Sequence, residues 1–295
     1  MKKTIVLLLA AIFSAGTISA QISNTASWKS SRHSIYFGGG INWLIGDFDR
    51  TDGGTDGPSF KLLKEKSYSL NLGYKYKMSE RFSLRFSALY SKLSGDDTKS
   101  KDLGHKTRGV VIKNNAFDID ANIDFYFIKE KEVTTKPTFG QRWSSYIFVG
   151  AGALFHNPKW DGGKRTFGST TVKNGDKLRD IHTENGDKYH KVTLAIPTGL
   201  GIKFLLSKKV YLGAEYALRF TTTDHLDDLH WNYRIENDQQ RALAPAGAMD
   251  GMQRGGREYN DWYSTLLFNF GIKFGGAKPS PIIRSYSRPK YLHLR

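Results

Sequence analysis

The chain has 295 residues, a formal net charge of +16, a mean hydropathy of −0.47 and no cysteine. The missing cysteines exclude disulfides and a lipoprotein anchor. The cationic excess does not point to nucleic acid, because the chain opens with an export signal and carries no recognition motif. Anionic lipid head groups or an acidic protein partner are the expected counterparts.

Lys2 and Lys3 precede an apolar run at 5–13, and Thr17-Ile18-Ser19-Ala20 ends on a small residue. That order makes 1–20 a secretory signal peptide, cleaved after Ala20. Its apolar run is too short to span a bilayer, and no later run approaches the roughly 18 to 20 apolar residues of a membrane helix. Residues 21–32 form a polar periplasmic lead-in.

From residue 33 onward the signal is period two. At 33–43, Ile35, Phe37, Ile41 and Trp43 alternate with Ser34, Gly38, Gly40 and Asn42, which predicts a strand with one apolar and one wet face. The run Gly38-Gly39-Gly40 lacks phosphate-loop spacing and reads as a kink or a close backbone approach. After a Gly-, Asp- and Thr-rich loop at 47–66, residues 68–78 and 82–91 form a hairpin of about ten-residue strands, the length a tilted strand needs to cross a bilayer. Tyr68, Tyr76, Phe82 and Tyr90 lie near strand ends, where interfacial girdles belong, and only Leu89 breaks the wet face.

A second polar loop, 94–115, leads to a strand with Phe117, Ile119, Ala121, Ile123, Phe125 and Phe127 on one face and Asp118, Asp120, Asn122 and Asp124 on the other. A calcium loop opening this way needs glycine at its sixth position and glutamate at its twelfth; Ile123 and Lys129 stand there. The row instead predicts carboxylates inside a narrow lumen, where they require partners. Lys75, Lys77, Arg85, Lys203, Arg219 and Lys273 occupy wet-face positions on other strands, as does Glu215. An internal salt-bridge network that plugs the barrel is therefore expected, carried by Lys75, Arg85, Asp118, Asp120, Asp124, Glu215 and Arg219.

After a turn at 129–142, strands are predicted at 146–155, 192–204, 210–221 and 261–274, with long loops at 156–190 and 222–259. Pro197 removes a ladder donor and predicts a local bulge. Short and long connections alternate, which places the termini and short turns in the periplasm and the long loops outside. The fold class is all-β: an antiparallel transmembrane outer-membrane β-barrel of about eight strands over 33–274, too narrow for an open pore. Residues 275–295 form a basic tail, whose Lys278, Arg284, Arg288 and Lys290 are candidate contacts for a periplasmic partner.

Asp224-His225-Leu226-Asp227-Asp228-Leu229-His230 holds the densest set of metal-ligand types, but no ligand set closes in sequence and a structured loop base is the better reading. No hydrolase motif occurs. An outer-membrane lipid hydrolase would need a Ser and a His on the lipid face, where only Ser264 is offered. No enzyme activity, metal or cofactor is expected.

Several segments together resemble a known family. Tyr36-Phe37-Gly38-Gly39-Gly40 leading to Gly46-Asp47-Phe48, Tyr146-Ile147-Phe148-Val149-Gly150-Ala151-Gly152 before Phe155, Asn157, Pro158 and Lys159, and Ile196-Pro197-Thr198-Gly199-Leu200-Gly201-Ile202-Lys203 are similar to strands of the PorG-like, DUF6089-type outer-membrane barrels of the type IX secretion system. Thr223-Asp224-His225-Leu226-Asp227-Asp228 resembles a Thr-Asp-Tyr-Leu-Asp-Asp signature of that family with His225 replacing the aromatic, and Trp262-Tyr263-Ser264 also fits. The resemblance implies a non-catalytic barrel that ties a periplasmic ring, made of a lipoprotein and its partner, to the outer membrane. Asp224, Asp227 and Asp228 then form the family-signature loop. A surface-binding barrel that uses its long loops is the alternative.

Overall fold

The computed structural model describes residues 31–46, 67–100, 103–129, 142–185, 188–207, 209–256 and 260–275. The signal peptide, the loop at 47–66, most of the 129–142 turn, and the tail with Lys278, Arg284, Arg288 and Lys290 lie outside the described residues.

Eight long strands form the wall: β1 (His33–Ile45), β2 (Tyr68–Lys77), β3 (Phe82–Asp96), β4 (Val111–Ile128), β5 (Trp143–Phe155) and, beyond three short strands, β9 (Val192–Leu205), β10 (Val210–Thr221) and β11 (Trp262–Phe274). They pair antiparallel in the order β3-β2-β1-β11-β10-β9-β5-β4, and β3 pairs with β4 to close the ring. Closure leaves the wall without an unpaired edge, as a sheet surrounded by lipid requires.

Alternation sets the two faces. Phe37, Leu70, Leu72, Ile119, Ile147, Leu200 and Phe268 lie on the exposed outer wall, whereas Ser69, Asn71, Lys75, Asp118, Asp120, Asp124 and Asn269 are buried inside. An apolar wall of this extent around a polar interior is a lipid-facing surface. Aromatic pairs mark its two rims. Tyr68 meets Tyr90 at 6.2 Å, Phe117 meets Phe155 at 6.5 Å and Phe220 stacks on Trp262 at 5.7 Å on the long-loop side. On the turn side, Phe82 meets Phe125 at 5.2 Å and His33 meets Tyr76 and Phe274 at 5.2 and 5.8 Å.

Three inward tyrosines lie over glycines on neighbouring strands: Tyr36 over Gly73, Tyr146 over Gly201 and Tyr211 over Gly271, each a register pair. A Cβ on any of the three glycines would enter the facing ring. Glycine is used here for close approach.

The structure corrects three expectations. β3 and β4 run further than predicted, so the second loop shrinks to 97–110 and carries a short helix, α1 (Leu103–Arg108). No bulge forms at Pro197. Pairing with β10 continues through Arg219↔Pro197, and pairing with β5 lapses between Val149↔Thr198 and Gly152↔Ala195 before resuming in the same register. A gap in the ladder accommodates the missing donor. Leu89 does not break a wet face, because it is 1% exposed in an apolar layer with Leu93, Leu154, Ala195 and Leu267. The lumen is charged toward the turns and, toward the long loops, combines an apolar layer with small hydrogen-bonded polar side chains such as Asn42, Ser69 and Ser91.

That apolar layer continues beyond the wall, because the long loops are folded. β6 (Pro158–Trp160) extends the sheet beside β4, β7 (Arg165–Phe167) pairs with β8 (Thr170–Val172), and α2 (Leu178–Ile181) and α3 (Asp238–Leu243) pack among them. Trp160, Val172, Leu178, Leu226, Leu229 and Leu243 share one buried cluster with Leu89 and Leu93 of the wall. The loops make a cap whose core continues into the upper lumen.

Replacing Gly73 with valine should sharply reduce the fraction of refolded protein that migrates as the heat-modifiable folded form on a gel. Adding Tyr36→Ala to that variant should restore part of it, because the ring the new side chain meets is then gone.

Candidate functional site

Within the lumen the expected charges meet across the barrel. Arg85 on β3 pairs with Glu215 on β10, which lies opposite it in the closed strand order, and reaches Asp124 on β4 with Nε at 3.2 Å. Lys75 on β2 reaches Asp124 at 2.9 Å and donates to the Tyr146 hydroxyl at 3.2 Å, and that hydroxyl donates to Glu215 at 2.8 Å. Aromatic faces cover the cations: Arg85 lies 4.1 Å from the Phe148 centroid and Lys75 4.2 Å from that of Tyr146. One layer up, Arg219 reaches Asp118 at 3.2 Å and Asp120 at 3.9 Å and donates to Thr265 at 2.8 Å. Ser87 and Asn122 donate to Asp120.

All seven network residues are therefore brought together. Lys203 and Lys273 are not placed against the carboxylate row. They sit nearer the turn end, where Lys203 donates to the Tyr126 hydroxyl. Distance along the strand decides this: Lys203 and Lys273 occupy the last turns of the wet face, while the aspartates occupy its middle. Tyr146 was not identified from the sequence, where its inward position reads only as one more alternating aromatic.

The signature loop at 224–228 forms the inner layer of the cap. Asp227 accepts from the Leu229 amide at 2.9 Å and Asp261 accepts from the Leu226 amide at 2.9 Å, so carboxylates replace the ladder bonds the loop backbone lacks. Asp228 has a left-handed backbone with φ 61°, a conformation aspartate tolerates better than most residues. It is held from three sides: Thr183 donates at 2.5 Å, Tyr189 at 3.1 Å and Arg254 at 3.1 Å. Arg254 also donates to Glu184 at 3.0 Å and ties the fourth long loop to the third. Nothing in the sequence around Arg254 signals this role.

His225, at the position where the family resemblance expects an aromatic, stacks on Tyr189 at 4.6 Å and 15°, and Tyr189 stacks on His156 at 5.9 Å and 12°. The imidazole takes over the ring contact. Asp224 pairs with His230 at 2.6 Å. Among the described residues no group of three or more His, Asp or Glu side chains is arranged to hold a metal ion. Ser264 departs from its expected lipid-facing exposure. It is 1% exposed, covered by its surroundings in the wall.

Burial dominates the titration of the cap. It pushes His225 down to about 4, helped by His230, His156 and Arg254, and it pushes His156 down to about 4. Burial, then Asp228, raises Glu184 to about 7 against the opposing Arg254.

Residues 3–166 match the family model described as a domain of unknown function (DUF6089). The match spans more than half of the 295 residues and ends in the third loop, before the signature at 224–228. No curated protein matches the chain. Solved structures that resemble it are Ail, the attachment invasion locus protein of Yersinia pestis (10% identity, TM-score 0.38, covering 83% of this chain and 99% of Ail), the N-terminal β-barrel domain of Pseudomonas aeruginosa OprF (10%, 0.33, 82% and 98%) and Neisserial surface protein A (12%, 0.34, 82% and 97%).

Arg85→Met should cost about 3–5 kcal/mol, because Asp124 and Glu215 keep buried charge after losing a shared cation. Adding Glu215→Leu should recover part of that loss in urea titrations of the micelle-bound protein. A second expectation concerns pH. His225 titrates lower in the folded cap than in the open one, so the open state binds more protons between pH 6.5 and 4 and the cap loosens as pH falls through that window. Hydrogen exchange of cap amides in His225→Phe should depend less steeply on pH there than in the wild type.

Proposed function

The chain belongs to the DUF6089 family, and from that premise we propose that it is an outer-membrane component of the type IX protein secretion system, anchoring or organising the periplasmic ring at the outer membrane without catalysing a reaction. The observation that carries this reading is the filled lumen. Arg85, Lys75, Asp124 and Glu215 cross the interior as buried ion pairs, and eight strands leave no room beside such side chains for a solute path. A barrel that conducts nothing acts through its surfaces. The PorG-like segments quoted above supply the specific partner class: a periplasmic ring lipoprotein and its companion, reached by the short turns and by the basic tail at Lys278, Arg284, Arg288 and Lys290. Outer-membrane lipid holds the apolar wall, and no nucleic acid is involved.

The folded cap favours one second reading, a surface-binding barrel of adhesin type. Three long loops share a core and present Phe167, Trp231, Met249 and Met252 outward, and an ordered apolar display is what a ligand-binding surface needs. A lipid-modifying enzyme is the weakest reading, since Ser264, its candidate nucleophile, is buried.

Affinity capture of the tagged protein from gently solubilised outer membranes should bring down a periplasmic lipoprotein. Deletion of 275–295 should then abolish both capture and secretion while the cap stays folded. Recovery of the barrel alone would overturn the secretion reading and leave the cap as the place to look for function.

A further inference from the structure

The third and fourth long loops meet in the cap around a recess of about 270 Å³, part of it open to solvent. The Arg234 amide donates to the Thr183 carbonyl at 3.1 Å and the Asn185 amide to that of Asn232 at 3.0 Å, so two short extended segments pair across the junction. Glu184 and Asp228 line the recess and are tied together by Arg254, at 3.0 and 3.1 Å. Tyr189 and His225, stacked at 4.6 Å, form another part of its wall. Trp231 completes it, 39% exposed and standing edge-on to His230 at 4.8 Å.

Two features set this recess apart from the rest of the cap. Among the described residues, His182 and Asp228 are the two non-glycine residues with a left-handed backbone, φ 59° and 61°, and both line it. Glycine would hold either conformation without strain. Histidine and aspartate keep a side chain at the recess, and strained positions of this kind gather at ligand sites. The second feature is the balance of its walls. Arg179 and Lys188 match Glu184 and Asp228 in charge, so no net charge selects an ion. Leu178, the aliphatic residue among the described lining, is fully buried, so no apolar socket receives a hydrophobic side chain. Carboxylates accept hydrogen bonds, guanidinium groups donate them, and amides and imidazoles do both. A ligand that suits such walls is uncharged, dense in hydroxyl groups, and flat enough on one face to lie against the exposed indole. A sugar ring has all three properties.

We propose that this recess binds a neutral hexose unit of a polysaccharide met outside the cell. The ring lies on Trp231 with His182 at its edge, and its hydroxyls donate to Glu184 and Asp228 and accept from Arg179. The site stands at the long-loop end of the barrel, opposite the turns. It therefore does not rest on the secretion reading, and it gives the folded cap a ligand class.

The test uses the full mature chain folded in phosphocholine-type micelles, whose head groups carry no sugar. Saturation-transfer NMR is run with methyl glucoside, methyl galactoside and methyl mannoside. One or more should bind saturably with a dissociation constant of about 1 mM. Trp231→Ala should weaken that binding about tenfold, and Trp231→Phe, which keeps a ring, should weaken it less. His182→Gly suits the left-handed backbone, so it should fold as well as the wild type and still bind more weakly. Phe167→Ala, at an exposed ring elsewhere on the cap, should bind as the wild type does. The heat-modifiable gel shift and hydrogen exchange of cap amides check that each variant is folded. No saturable transfer to any of the three glycosides would overturn the proposal, as would undiminished binding in folded Trp231→Ala. Binding of methyl glucuronide alone, lost in high salt, would also overturn it, because the recess would then select an anion.

Discussion

The structure depends on how charge is held in a space that excludes bulk water. A wall of eight strands encloses an interior only wide enough for side chains, and alternation sends half of every strand into it. Each polar group there has left water and must find a partner inside. Arg85 meets this constraint by spanning from its own strand to Glu215 on the facing strand while also touching Asp124. Lys75 and Tyr146 close the same circuit. One guanidinium thus ties the paired strands β3 and β4 to β10 on the opposite side of the ring. Its worth lies less in net stabilisation, which buried pairs seldom supply, than in the cost of any arrangement that separates its members.

The two ends of the interior use different chemistry. Toward the long loops charge gives way to an apolar layer, and Leu89, Leu93 and Leu154 merge with Trp160, Leu178 and Leu229 above them. Barrel and cap therefore share a core although one is set in lipid and the other stands in water. Arg254 and Asp228 then lock the third and fourth loops over that core. The signature residues Asp224, Asp227 and Asp228 serve the cap's geometry: two bind backbone or a neighbouring histidine, and the third holds a strained turn.

Strands were the most legible part of the sequence, because period two over ten residues has few competing explanations. The carboxylate row was legible too, since Asp118, Asp120 and Asp124 share one parity with no polar residue opposing them. Partner choice was less so. Parity says which face Lys203 and Lys273 occupy but not how far along the axis they stand, and that distance decides whether a lysine reaches the aspartate row or, as Lys203 does, a tyrosine hydroxyl. The cap was missed for a related reason. Trp160, Leu178, Leu226 and Leu243 are scattered among charges and glycines with no single period, and only the closed barrel brings their loops together. Pro197 misled through an ordinary rule: a missing donor can be met by a bulge, but a gap in one ladder meets it equally well.

The glycines beneath Tyr36, Tyr146 and Tyr211 have a consequence for error checking. A strand that slips by one residue turns its apolar face inward and is rejected at once. A slip of two keeps both faces correct, so alternation cannot detect it. The tyrosines can. The neighbouring lumen positions on the glycine strands hold Asn71, Lys75, Lys203, Asn269 and Lys273, with Gly199 the one exception, and each of those side chains fills the space a ring must occupy. The barrel carries a parity check in its alternation and a second code, written in glycine and tyrosine, for the mistakes that parity lets through.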